Sequence, residues 1–227
     1  MPGKTEGVRG YSMKMSRPGR GPLVFARARY GTLILSAFCM ACALFAFAPA
    51  AAAQGVDVSS TTRLEGVLAS IRARDPKAAP GLIVQFAVEP EPGIRAWILR
   101  AVAALKAPQG PALFQTGLRD GSPLVRMAAV EVLAGAQGAA AVPDLAAALA
   151  GEANAGVRNT IVFWLGTIKT PASTAALRQA LSADADPNVR VEAARSLKQQ
   201  GTGSARQALR AARGDSDARV RGIVDEP

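Results

Sequence analysis

An arginine recurs through this chain at positions 63, 95, 126, 158, 190 and 221, at intervals of 32, 31, 32, 32 and 31 residues. Six residues before each stands an acid: Asp57, Glu89, Asp120, Glu152, Asp184 and Asp215. Only sixteen acids are spread over the 174 residues that follow Ala53, so finding one at all six chosen positions is not coincidence. A fixed period of about 20 to 50 residues marks a chain built from stacked copies of one small unit. A residue pair copied six times belongs to that architecture rather than to a single catalytic site.

Aligned on the arginine, apolar residues fall three, four and seven positions later: Ile98, Leu99, Val102; Ala129, Val130, Leu133; Ile161, Val162, Leu165; Ala193, Ala194, Leu197. That spacing is one face of an α-helix. A second apolar pair follows at 19 and 23 positions, as Leu82 and Phe86, Phe114 and Leu118, Leu145 and Leu149, Leu177 and Leu181, and predicts a second helix. Turn residues separate the two at 106–111, 135–138, 169–171 and 200–203, and Pro or Gly precedes the arginine at Pro92-Gly93, Pro123 and Pro187. Each unit therefore predicts a helical hairpin. Neither helix of such a hairpin can bury its apolar face alone, so neighbours must stack into a continuous core. Five complete units fit between residues 57 and 214, and a truncated sixth begins with Asp215, Val220 and Arg221. The first unit departs most from the pattern, with Thr62 where Val or Ile precedes the other arginines and Ser70 at a core position.

The acid that ends one unit and the arginine that opens the next helix are placed to hydrogen-bond across the turn between units. There a guanidinium fork would hold the carboxylate and backbone carbonyls together. The six pairs, Asp57/Arg63, Glu89/Arg95, Asp120/Arg126, Glu152/Arg158, Asp184/Arg190 and Asp215/Arg221, are thus expected to form a structural ladder. The pattern D-x-x-P-x-V-R followed by an A-x-x-x-L helix is clearest from Asp184 to Leu197 and from Asp120 to Leu133. It resembles the HEAT-like repeats of the phycobilisome-lyase type, over essentially the whole chain beyond residue 53. That resemblance implies an all-α fold, a right-handed α-solenoid of about five helical-hairpin repeats. It implies a binding scaffold more often than an enzyme.

The net charge of +10 is unevenly placed: Lys4, Arg9, Lys14, Arg17, Arg20, Arg27 and Arg29 crowd the first 30 residues with Glu6 as the one acid. No charge then appears until Asp57, residues 32–48 are apolar, and Ala51 and Ala53 have A-x-A spacing. A positive region, an apolar region and small residues in that order predict a signal peptide over residues 1–53, cleaved near Ala53 and Gln54. The alternative is an uncleaved anchor in the inner membrane through residues 31–48, since about 20 apolar residues span a bilayer. The repeat domain is then 54–227, exported to the periplasm or beyond. Cys39 and Cys42 form a C-x-x-C inside the apolar region, where they read as small apolar fillers rather than as a redox or metal pair.

Catalytic chemistry is poorly provided for. The chain has no His, and its tyrosines, Tyr11 and Tyr30, lie with both cysteines in the leader. Common zinc sites, Ser-His-Asp arrangements and thiol nucleophiles are therefore excluded beyond residue 53, and no phosphate-binding G-x-x-x-x-G-K-[ST] loop occurs. HEAT-like enzymes that bind iron do so through His-Glu pairs, which this sequence lacks. No catalytic residue, metal or cofactor is expected.

Two features mark candidate partner-binding residues. Five positions after the arginine the other units carry Arg100, Glu131 and Arg195, but the fourth carries Phe163; Trp97, two positions after Arg95, is a milder case. Their alternative is partial burial against a neighbouring hairpin. The second feature is basic: Arg206, Arg210 and Arg213 are expected to share a helix face, and Arg178 holds the repeat position of Arg210, so the later second helices would present a positive strip. Its alternative is an ordinary solvated face. Arg206 and Arg213 stand where Val142 and Leu149 stand in unit three, which suggests that unit five is a polar terminal cap. The function these features support is a non-enzymatic scaffold in the cell envelope binding a protein partner of acidic character. The alternatives are a bilin-lyase-like enzyme or a binder of nucleic acid through the basic strip, both disfavoured by export. The membrane enters only through an uncleaved leader.

Overall fold

The computed structural model describes residues 58–225. The leader, the candidate anchor at 31–48, Cys39 and Cys42, and the first ladder acid Asp57 lie outside the described residues, as do 54–57 and 226–227 of the repeat domain.

The described residues form an α-solenoid. Five hairpins follow in order: α1 (Val58–Ala73) with α2 (Ala79–Val88), α3 (Pro92–Ala104) with α4 (Gly110–Gly117), α5 (Pro123–Gln137) with α6 (Val142–Gly151), α7 (Ala155–Thr167) with α8 (Pro171–Ala183), and α9 (Pro187–Gln200) with α10 (Gly203–Ala211). A further helix, α11 (Ala218–Asp225), opens the sixth unit. Short 3-10 turns precede α2 and α6 and follow α10.

The start of each first helix is written into its sequence. Pro92, Pro123 and Pro187 occupy the first helical position, where a missing amide proton costs nothing and φ is already near the helical value. Proline also pushes the residue before it into extended backbone, and Glu91, Ser122 and Asp186 have ψ of 114°, 125° and 121°. The arginine that follows lies in the first turn, pointing back over the inter-unit junction. Unit four has no such proline. There Asn154 caps the helix instead, its side chain accepting the Val157 amide.

The predicted helix faces form the core. The residues three, four and seven after each arginine, from Ile98 to Leu197, are all fully buried. On the second helices Leu82, Phe86, Phe114, Leu145, Leu177 and Leu181 are buried, while Leu118 and Leu149 are half-buried against the same core. First helices of successive hairpins pack directly on one another, and the second helices of units one to four each rest on the next first helix. One approach is close enough to dictate a residue: a Cβ on Gly166 of α7 would meet Ser196 of α9 at 2.3 Å from Oγ and 3.3 Å from Cα, so only glycine fits.

Three expectations change. Gly135 does not end its helix; α5 runs on to Gln137 and stops at Gly138, whose φ of 54° suits glycine. Arg213 does not share a helix face with Arg206 and Arg210, because α10 ends at Ala211 and Arg213 lies in the 3-10 turn that follows. Nor does α10 lose its core face at Arg206. It buries Ala205, Ala208 and Leu209, with Ala205 and Leu209 at the repeat positions of the buried Ala141 and Leu145, and Arg206 lies outward. Among the described residues one run, Pro123–Gly151, is apolar and long enough to cross a membrane. It is broken at Gly138 into α5 and α6, the third hairpin.

Candidate binding surface

The ladder exists, but its rungs join different partners from those the six-residue spacing suggests. Arg158 does not hold the carboxylate of Glu152. Its Nε and Nη2 each donate at 2.8 Å to Asp184, 26 residues later, while Nη1 donates to the backbone carbonyls of Glu152 and Ala153. The carboxylate of Glu152 is held in the same two-pronged way by Arg126, at 2.7 and 2.8 Å. Arg95 with Asp120 and Arg190 with Asp215 repeat the arrangement. Arg221 gives Nη1 to the carbonyls of Asp215 and Ser216.

The physical reason lies in the geometry of the turn. Each acid turns its carboxylate toward the start of its own first helix and accepts the amide two residues on: Ser122 on Asp120, Asn154 on Glu152, Asp186 on Asp184, Asp217 on Asp215. Its remaining lone pairs then face the previous unit, whose arginine reaches across to fill them. The carbonyl left on the far side of the turn receives the next arginine. Each rung therefore locks one turn and clamps two units, a device that works only in a stack.

Electrostatics agree with the geometry. For Asp120 and Asp184 burial pushes the carboxyl up, but the hydrogen bonds from Arg95 and Arg158 and from the Ser122 and Asp186 amides outweigh it and hold both below the usual range. For Glu152 and Asp215 the arginine hydrogen bond is itself the largest influence, and both are likewise held down.

A second buried polar set lies between units four and five, and sequence spacing does not reveal it. Gln200, at the end of α9, donates from Nε2 to the carbonyls of Leu165 and Ile168 and to Ser173 Oγ, and accepts from Thr174 Oγ1 at 2.6 Å. Ser173 in turn bonds the Ile168 carbonyl and closes a capping box with Thr170. The signal available in sequence was the T-x-x-S of 170–173, which reads as a helix start but not as a network.

The candidate contact residues are not brought together. Phe163 is 45% exposed on α7 and meets Trp164 edge-on at 5.6 Å. Trp97 is half-buried on α3 against the core, with the Arg100 guanidinium 5.5 Å over its ring and Arg100 paired with Glu131. Arg178, Arg206, Arg210 and Arg213 are exposed. Arg206 donates to the Gly201 carbonyl at the end of α9, and Arg213 stands 3.9 Å from Asp225. No ion pair involves Arg178 or Arg210 among the described residues. No group of His, Cys, Asp or Glu among the described residues could hold a metal ion.

Comparison with known proteins bears on the fold. No curated protein matches the chain by sequence. Among solved structures, human deoxyhypusine hydroxylase in complex with glycerol is similar, with 19% sequence identity and a TM-score of 0.40, over 75% of this chain and 79% of that one. The family model for HEAT repeats matches residues 79–162 and again residues 142–224, a span that begins at the first buried residue of α2 and ends inside α11. On that match, and on the hairpin stack it covers, the chain belongs to the HEAT repeat family.

Proposed function

We propose that this protein is a non-enzymatic HEAT-repeat scaffold of the cell envelope that binds an acidic protein partner through the arginines of α8 and α10. One observation carries the reading: the division of the charges. The ladder carboxylates from Asp120 to Asp215 each hold an arginine and an amide, so the recurring ionic groups serve architecture. Arg178 and Arg210, in contrast, are exposed without a carboxylate in reach among the described residues. Repeat stacks commonly act as extended binding surfaces, and exposed guanidiniums left without a carboxylate can select a partner by charge. The envelope assignment rests on the charge step and apolar run of the first 53 residues. The lack of His, Cys and Tyr beyond residue 53 supports a non-catalytic role.

Affinity capture from the envelope fraction with the parent protein and with the triple variant Arg178→Glu, Arg206→Glu, Arg210→Glu tests this. The parent is expected to retain an acidic protein that the variant loses. Capture of the same protein by both, or recovery of nucleic acid with a steep salt dependence, would overturn the reading.

A further inference from the structure

The two long edges of the stack use their charges differently. Each rung ties the first turn of one first helix to the turn that opens the next, and the first helices pack on one another. Their starts therefore lie along one edge, and the turns that join the two helices of each hairpin lie along the other. On the ladder edge arginines and carboxylates pair. The hairpin turns, 72–80, 104–112, 135–143, 167–172 and 199–206, contain Arg72, Arg74, Lys77, Lys106, Lys169 and Arg206 against a single acid, Asp75, whose carboxylate accepts the Lys77 amide. Arg72, Arg74, Lys77, Lys106 and Lys169 are exposed, and no ion pair involves them among the described residues. Two of these cations stand where the backbone favours glycine. Arg74, Lys106, Gln137, Lys169 and Gly201 each lie eleven residues after a ladder arginine. Gly201 has the left-handed φ of 63° common just past a helix end, whereas Arg74 and Lys106 hold φ of 50° and 52° with a long side chain attached. A side chain there strains the backbone in a way that glycine avoids, and both side chains are in solvent. Strain kept at exposed cations points to a contact outside the chain.

We infer that the hairpin-turn edge docks on an anionic lipid surface. Arg74, Lys106 and Lys169 hold one repeat position on helices that stack side by side at steps of about 8 to 10 Å, so they form a row about 25 to 30 Å long. A flat layer of headgroup phosphates meets such a row along its whole length. The large exposed apolar side chains, Val84, Val88, Leu124 and Phe163, lie outside these turns. The edge therefore carries no apolar wedge to enter the bilayer and no aromatic platform on which a nucleic-acid base could stack. Contact is electrostatic and stays at headgroup level. The apolar run of the leader stops at residue 48, ten residues before Val58 opens α1, and on the envelope reading it brings the domain to a membrane, which favours lipid over nucleic acid. The inference rests on that location and is independent of the acidic protein partner. Each cation close to an anionic leaflet strengthens binding about fivefold, and the attraction fades over about 8 Å at physiological salt.

The test follows acetylation of single lysines in the full chain by mass spectrometry, a readout that stays local to the edge whether or not the leader is cleaved. With vesicles of phosphatidylglycerol and phosphatidylcholine, Lys77, Lys106 and Lys169 are expected to react at least about fivefold more slowly than with phosphatidylcholine alone, and salt of about 1 M should restore the rate. Arg74→Gly with Lys106→Gly suits the left-handed backbone, so this variant should melt no lower than the parent while Lys77 and Lys169 return to the unprotected rate. Arg178→Glu with Arg210→Glu, which removes two arginines proposed for the acidic partner, should leave the protection intact. Equal rates with both kinds of vesicle, protection that survives the glycine pair, or protection lost on changing Arg178 and Arg210 would overturn the inference. Protection by duplex DNA and not by vesicles would reassign the edge to nucleic acid and overturn it as well. None of these outcomes decides the acidic-partner reading, which stands or falls on the capture experiment.

Discussion

The two ends of the stack are built from one repeat and have diverged in opposite ways. Toward the C-terminus the ladder is tight. Arg190 grips Asp215 with two donors and is nearly covered, with 13% of its side chain exposed, and Ser216 adds a further bond. Toward the N-terminus Arg63 reaches Glu89 with Nε alone at 3.1 Å, leaves 35% of its side chain in water and turns Nη1 to Ser59. The outer surfaces differ in the other sense: α2 exposes Val84 and Val88, and α10 exposes Arg206 and Arg210. The same scaffold thus keeps its cohesion and its surface chemistry on separate residues, and either can change without the other.

The largest expected effect would break the comparison of the ladder's two ends. Arg158→Ala removes one member of a covered ion pair, leaving Asp184 charged and two carbonyls at the 152–153 turn without their donor. It should cost about 3 kcal/mol. Arg63→Ala removes one bond from a guanidinium one-third exposed but leaves the covered Glu89 carboxylate with the Glu91 amide and Gln85, and should cost less, about 1 to 2 kcal/mol. Urea midpoints of the two variants measure both, and equal losses would show that the rungs do not weaken toward the N-terminus.

Acid sharpens the same contrast. The carboxyls of Asp120, Glu152, Asp184 and Asp215 are held below their ordinary values in the fold. A group depressed in this way contributes stability above its unfolded value of about 4 and loses it as pH falls through the lower folded value. Melting temperature should therefore be flat from neutral pH to about 5 and fall progressively below about 4. A stability that rises on acidification through that window would contradict the pairing. Gln200→Ala comes next, at about 1 kcal/mol, because it removes the Gln200 bonds to the Leu165 and Ile168 carbonyls, Ser173 and Thr174 from a buried set whose carbonyls and Thr174 hydroxyl each keep a second partner. The loss should be absent from a Gln200→Ala, Thr174→Val pair at the Thr174 contact, which a double-mutant cycle isolates.

The fold was legible because periodicity is a property of sequence. The face from Ile98 to Val102, repeated down to Ala193 to Leu197, named the core correctly, and the prolines before Arg95, Arg126 and Arg190 named those helix starts. What periodicity could not reveal is which copy touches which. The Glu152 carboxylate is six residues from Arg158 and 26 from Arg126, and only the direction of the turn decides that it takes Arg126. Arg206 misled for a related reason: its repeat position lies at the edge of the core face, buried as Val142 in unit three but exposed as Pro111 in unit two and Arg206 in unit five, so one copy does not decide another. Gln200 escaped notice because a polar residue at the end of a helix looks solvated until the carbonyls beneath it are seen.

The smallest effects concern the surface, and they test whether the two ends differ in binding alone. Val84→Ser and Val88→Ser alter exposed side chains and should leave stability within about 0.5 kcal/mol of the parent. The arginines should not be equivalent to each other. Arg210 sits in the last turn of α10, where a cation complements the helix dipole, so Arg210→Glu should cost about 0.3 to 1 kcal/mol. Arg206 sits near the beginning of the same helix and donates to the Gly201 carbonyl. Arg206→Glu loses that bond but places an acid close to the helix N-terminus, where negative charge is favoured, and the two effects offset to leave a change near zero. Measured at low salt, where dipole effects are least screened, Arg210→Glu should therefore be the less stable of the two. The reverse order would mean that the bond from Arg206 to Gly201 fastens α10 to α9, so that Arg206 serves cohesion as well as surface charge.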